Sequence, residues 1–251
     1  MTASSLFTTI CNIAKMVSEL EATGISIEIG DDFSAFRRIR ESQTDRSAMF
    51  PMFDVARSYV DASNAFWVCG YNKNREVIHT QAMRLLNLDS QTLTQHLRNH
   101  RHMYITPGST ADPDRTYFSS LPVLDKISGQ VGYHGEFWIK AGTIGRRNIG
   151  LTATLSRIAF EMSMKLWSPD FLFGFVPTPL AARGVAVRYG YVHCEVGAWY
   201  GPAQEVTSEE MLVWASNEDL NVHLNTQPRP LGINRDERTL RKSVPSINKV
   251  A

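Results

Sequence analysis

The segment Arg147-Asn148-Ile149-Gly150-Leu151-Thr152 stands between a stretch that reads as a strand and one that reads as a helix. Such a turn exposes main-chain N–H groups at a helix N-terminus. Those donors have no intrahelical partner, and the helix dipole places partial positive charge beside them. A diphosphate fits that environment. Gly150 has no Cβ to hold a phosphate oxygen off the main chain, and Arg146 and Arg147 add full positive charge at the rim. Just upstream, His134 and Glu136 stand two residues apart on the preceding strand, a spacing that sends both side chains to one face. An imidazole and a carboxylate together there are candidates for moving a proton. The plainer alternatives are a capped helix with surface arginines, a solvated strand carboxylate and a hydrogen-bonded histidine.

Elements that would position these groups are legible in the pattern. Leu6, Ile10, Ile13, Val17 and Leu20 recur at three- and four-residue steps, which predicts a helix over 4–23, capped by Ser4 or Ser5 and ended by Gly24. Residues 25–29 alternate and predict a strand. Asp31 or Asp32 caps a helix carrying Phe33, Phe36 and Ile39, and a short helix is expected over 53–60. Residues 65–71 and 77–86, joined by Asn72-Lys73-Asn74-Arg75, read as a β-hairpin. A helix opened by Asp89 or Ser90 carries Leu93 and Leu97, and 106–116 reads as a loop. The centre of the chain alternates: strand 130–139, glycine- and arginine-rich loop 142–148, helix 151–166, strand 171–176, helix 180–188, strand 191–195. That alternation predicts an α/β fold. Thr207-Ser208-Glu209-Glu210 reads as a capping box for a helix through Trp214. Residues 225–251 carry a net charge of +4 with little apolar material and read as an extended tail.

The loop and its surroundings resemble the GNAT acyltransferase superfamily, which carries Arg/Gln-x-x-Gly-x-Gly/Ala in this context. Arg147 and Gly150 match the first two fixed positions, and Thr152 stands where the family has Gly or Ala. The order of elements from Ile25 to Gly201 also matches, including Ala182 in the helix after the second apolar strand and the Gly190-Tyr191 pair. The resemblance implies a mixed, mostly antiparallel central sheet flanked by helices, with two central strands splayed apart. These would be 131–139 and 171–176. It implies acyl-CoA, most simply acetyl-CoA, as co-substrate. Main-chain groups of Ile139, Arg146, Arg147, Asn148, Ile149, Gly150, Leu151 and Thr152 would hold it, with the pantetheine arm in the gap and a main-chain N–H on the thioester oxygen. A small-molecule amine would attack directly. Glu136 is the expected base, with His134 as second candidate. The family's acidic tyrosine falls at Ala186, which cannot donate a proton, so Tyr189 is taken as the expected acid. Two alternatives stand beside this reading. One is a long-chain N-acyl amino acid or acyl-homoserine lactone type synthase, with an acyl carrier protein as conceivable donor. The other is a CoA-binding module without turnover.

Composition bounds the rest. The chain has 251 residues, 43% hydrophobic and 20% charged, a globular balance. A formal net charge of +1 gives no electrostatic reason for nucleic acid as partner, and no apolar run is long enough to span a bilayer. Cys11, Cys69 and Cys194 are scattered without paired spacing. This predicts neither a disulfide framework nor a zinc site, and a reducing cytoplasm as the default compartment. Core packing is the expected role of Cys194. His96, His100 and His102 lack a carboxylate or cysteine at metal spacing and read as a solvated helix end. The expected organisation is an acyltransferase-like domain over 1–205 with an N-terminal helix, then a C-terminal helix and tail over 206–251. Oligomerisation is open.

Overall fold

The computed structural model describes residues 2–105, 111–112, 114–143 and 150–226. In chain order the first elements are α1 (Ala3–Ala22), β1 (Ser26–Gly30), α2 (Phe33–Glu41), β2 (Ala65–Tyr71), β3 (Val77–Leu88), α3 (Leu93–Asn99), β4 (Tyr117–Phe118) and β5 (Gly129–Ile139). There follow α4 (Leu151–Leu166), β6 (Phe171–Pro177), α5 (Thr178–Ala181), α6 (Val185–Tyr189), β7 (His193–Glu195), β8 (Trp199–Tyr200), β9 (Val206–Ser208), β10 (Glu210–Ser216) and α7 (Asn217–Asn225). Seven strands make the main sheet in the order β1-β2-β3-β5-β6-β10-β7, and β4-β8-β9 make a small second sheet. All main-sheet pairings are antiparallel except β5 with β6. This is the mixed, mostly antiparallel, helix-flanked sheet the resemblance implies.

Each face of the sheet buries its own core. One face packs α2, α3 and the intervening segments through an aromatic cluster that includes Phe33, Phe36, Phe53, Tyr104, Tyr133 and Phe173. The other face packs α4 and α6 through Phe160, Leu172, Tyr191 and Val213. The N-terminal helix lies along α4 and covers β1 with Met16 and Leu20. Its cap is Thr2, whose hydroxyl accepts from Ser5 N at 3.2 Å, and not Ser4 or Ser5. Asp32 caps α2 by accepting from the Ser34 and Ala35 amides.

Several expectations are corrected. The segment 207–214 is not a helix: it holds the end of β9 and the start of β10, with Glu209 between them. Leu212, Val213 and Ala215 are buried, and β10 closes the sheet between β6 and β7, so tertiary pairing overrides the local capping signal. The capping box belongs one element later, at Ser216 and Asp219 of α7. A boundary after residue 205 therefore divides no described unit, because β10 is an interior strand. The helix expected over 53–60 is a single 3-10 turn at Pro51–Phe53 followed by turns. The helix expected over 180–188 is two short pieces separated at Gly184, whose φ of 75° no regular helix tolerates. Cys194 is exposed rather than packed in a core. His96 is buried with Nε2 2.9 Å from the Tyr104 hydroxyl, so that histidine is not a solvated one. Of the tail, 227–251 lies outside the described residues. No helix among the described residues is long and apolar enough to cross a membrane.

Candidate active site

The two parallel strands part in the middle of the sheet. Val131, Gly132 and Tyr133 pair with Phe171, Leu172 and Phe173, and the pairing stops there. Beyond it β5 continues to Ile139 along β3, while β6 continues to Pro177 along β10. The cause is readable in β5. Between Gly135 and Trp138 this strand has one residue more than β3 has between Ala82 and Thr80. The bulge turns at Glu136, which takes a left-handed φ of 55°. Thr80 Oγ1 donates to the Glu136 carbonyl at 2.8 Å and holds the turn. At the apex of the gap Gly174 is required. A Cβ there would stand 2.7 Å from the His134 carbonyl oxygen.

The gap opens into a cavity of about 180 Å³, walled by Gly135, Glu136 and Phe137 on one side and Gly174, Phe175 and Val176 on the other. Leu180 and Tyr189 line it from the α5–α6 side, and Tyr104, Tyr133 and Glu210 from the aromatic face.

The bulge corrects the expectation that His134 and Glu136 share a face. His134 points toward α4. Its Nε2 lies 3.0 Å from Gln81 Oε1 and its Nδ1 3.3 Å from the Tyr191 hydroxyl. Gln81 spends its amide nitrogen on the Leu155 carbonyl at 2.7 Å, which leaves its oxygen to accept. We assign the His134 proton to Nε2 on that basis, with Nδ1 accepting from Tyr191. Burial lowers the His134 pKa to about 3, so the ring is neutral at physiological pH.

Glu136 points the opposite way, into a closed ion cluster. Its Oε2 lies 2.6 Å from Arg40 Nε and 3.4 Å from an Arg46 nitrogen, and its Oε1 accepts from Phe50 N at 2.8 Å. Arg40 and Glu136 are both buried. Arg46 also donates to Gln43 and to Thr80, and stacks on Trp138 with its carbon 4.9 Å from the ring centre. Burial, then the neighbouring Arg40, lowers the Arg46 pKa to about 10. An incoming amine would reach Glu136 only by displacing a guanidinium or the Phe50 amide. The two arginines carried no sequence signal beyond a polar helix face and loop.

Tyr189, at the end of α6, packs its ring 4.2 Å from that of Phe137 and 6.0 Å from that of His134. Burial raises its pKa, which keeps the phenol protonated. Ala186, at the family's tyrosine position, is buried.

The sequence pattern places Glu210 in a capping box rather than at a site. Glu210 opens β10 opposite Pro177, on the face that carries Phe175 and Leu212. Trp199 Nε1 donates to its Oε2 at 2.9 Å. Burial raises its pKa, partly offset by hydrogen bonds from Trp199 and Ser208. The signal that could have found it is the strand-like run Met211-Leu212-Val213-Trp214-Ala215 immediately after it.

Gly150 precedes α4 with a φ of 92° and no side-chain cap. The first-turn amides of Leu151, Thr152 and Ala153 therefore lack side-chain acceptors from the N-cap. Leu151 is buried beside Ile139, so both would meet a co-substrate through the main chain rather than the side chain. Arg146, Arg147, Asn148 and Ile149 lie outside the described residues.

No protein-family model and no curated protein matches the chain. Among solved structures, the chain is similar to a variant of the spermidine N-acetyltransferase SpeG from Vibrio cholerae. Identity is 9%, 81% of this chain and 98% of that one are covered, and the TM-score is 0.44. It is similar to FeeM, an N-acyl amino acid synthase from uncultured soil microbes, at 11% identity over 80% of this chain and 94% of that one, with a TM-score of 0.43. A ribosomal-protein-S5-alanine acetyltransferase from Vibrio fischeri matches at 11% identity over 78% and 95%, with a TM-score of 0.40.

Proposed function

We propose that the chain is an N-acyltransferase that moves an acyl group from acyl-CoA to a small amine by direct attack. The observation that carries this is the parting of β5 and β6 after Tyr133 and Phe173 beside a cavity, together with a helix α4 whose N-cap, Gly150, supplies no side-chain cap. A narrow chain can thread such a gap, and the first-turn amides of a helix N-terminus suit its diphosphate. Gly150, Leu151 and Thr152 are the described residues that would hold the diphosphate. Arg146, Arg147, Asn148 and Ile149 would complete the loop.

A bulge leaves one residue out of the ladder, and a β5 main-chain N–H near Glu136 is the donor we assign to the thioester oxygen. The amine nitrogen bonds to the thioester carbon and the C–S bond breaks. The proton of the acceptor ammonium goes to solvent water, and the thiolate takes one from an acid. Tyr189 is the proposed acid, because it is protonated, lines the cavity and sits on the α6 side of the gap. His134 with Tyr191 is a positioning pair that fixes this wall. Glu136 holds Arg40, Arg46 and the 43–50 segment against the bulge.

The size of the cavity favours a short acyl group over the long-chain alternative. A cavity of about 150 Å³ holds a benzene-sized molecule, and this one measures about 180 Å³. Acetyl-CoA binding by calorimetry, followed by thiol release across a panel of primary amines, tests the reading. Binding with amine-dependent release is expected. Binding without release from any amine would reduce the protein to a CoA-binding module, and no binding would remove the reading.

A further inference from the structure

We infer that Glu210 is the acceptor-side carboxylate, a binding point for an organic ammonium group at the aromatic end of the cavity. The inference deepens the acyl-transfer reading by naming what holds the acceptor. It does not depend on which acyl donor is used.

Two carboxylates, Glu136 and Glu161, are buried in this molecule, and a third, Glu210, is half-buried at the mouth of the cavity. Glu136 faces two guanidinium groups. Glu161 lies 3.6 Å from Arg157, with which it shares α4. Glu210 forms no ion pair among the described residues, and its partners are the Trp199 indole N–H and Ser208. A carboxylate partly withdrawn from water gains from a cation that arrives beside it. The surroundings suit an arriving cation. Glu210 shares its face with Phe175, and Tyr104, Tyr133 and Trp199 complete the wall. Trp199 and Tyr104 lie with ring centres 6.2 Å apart, nearly parallel, and Trp199 and Phe175 are 5.5 Å apart. Aromatic faces attract ammonium groups, so charge and π-face act together at one place.

Position in the sheet gives the same answer. Glu210 pairs with Pro177, the last residue of β6, on the strand that borders the gap. It lines both the central cavity and a second one, of about 230 Å³, bounded by Tyr104, Ile105, Ala111 and Trp199. An ammonium group held there lies across the cavity from the Glu136 bulge, where the acyl carbon is proposed to sit. Glu136 cannot take this role without giving up Arg40 or Arg46. The ligand class is a primary alkylammonium with an apolar stem short enough for the aromatic wall.

The test needs no turnover. Binding of n-butylamine, charged at pH 7.5, and of neutral n-butanol is measured by NMR titration on the full chain without an acyl donor. The ammonium is expected to bind about ten-fold more tightly than the alcohol, which corresponds to about 1.4 kcal/mol, one charge-assisted hydrogen bond. In Glu210→Gln, which keeps an acceptor for Trp199, the preference falls to about one. In Glu210→Asp, which keeps the charge on a shorter arm, part of it remains. Thermal melting controls for folding of each variant. Equal binding of amine and alcohol by the unaltered protein, or an undiminished preference in Glu210→Gln, overturns the inference. A protein that prefers the ammonium but binds no acetyl-CoA would sink the acyl-transfer reading and leave this one standing.

Discussion

Glu136 and Glu210 border the same cavity from opposite sides and are built for opposite purposes. Glu136 is the centre of a closed cluster, with each oxygen engaged and two arginines locked around it. Glu210 stands among rings, with hydrogen bonds from Trp199 and Ser208 and no cation among the described residues. The difference teaches that nearness to the gap does not make a group reactive. A carboxylate already neutralised by its own chain serves architecture, and one left without a countercharge is available to a ligand.

The largest expected effect tests the Glu136 side. Glu136→Ala leaves Arg40 buried without its partner and is expected to cost about 3–5 kcal/mol of stability. Urea unfolding measures it, and a loss below about 1 kcal/mol would mean the cluster is not the anchor described. Glu210→Gln is expected to change stability far less. It should lower amine-dependent thiol release at sub-saturating amine by about ten-fold while leaving acetyl-CoA affinity unchanged. Equal losses of stability from both variants would erase the contrast.

The pH dependence sharpens the same point. The raised pKa of Glu210 means it gains its proton at a higher pH than an ordinary glutamate, near 4.3. Ammonium binding should therefore weaken on acidification earlier than an ordinary carboxylate would allow. The groups facing Glu210 are Tyr104, Tyr133, Trp199 and Ser208, none of which ionises in that range. A binding profile that is flat down to pH 4.3 would contradict this.

Smaller effects map the gap. Gly174→Ala places a Cβ against the His134 carbonyl, so about 1–3 kcal/mol of strain is expected together with weaker acetyl-CoA binding. Gly150→Ala forces a left-handed φ on an L-residue, costing about 1–2 kcal/mol, and should weaken the diphosphate site. Tyr189→Phe should slow release about ten-fold at unchanged stability; a rate equal to that of the unaltered protein would remove it as acid.

Much of the frame was open to reading in the residues. The hairpin 65–86, helix 151–166 and the strands around it follow from periodicity, and Asp32 caps its helix because a short side-chain oxygen there has backbone N–H groups within reach. Two departures from the local pattern share one origin. Thr207-Ser208-Glu209-Glu210 satisfies a local helix rule, and local rules cannot see that β6 needs a neighbour on its outer edge. His134 and Glu136 satisfy the two-residue rule for a strand, and that rule fails where a bulge inserts a residue.

Residue order alone dictates short-range choices: which segments are apolar every second residue or every third and fourth, and where a glycine frees the backbone. Which face Glu136 meets, where β5 leaves β6, and that Glu210 ends up against Trp199 were decided only by the assembled sheet. Those contacts join residues 96, 40 and 11 positions apart, measured from Glu136 to Arg40, from Tyr133 to Phe173, and from Trp199 to Glu210. Their energies depend on burial and pairing, quantities that do not exist until the chain has packed.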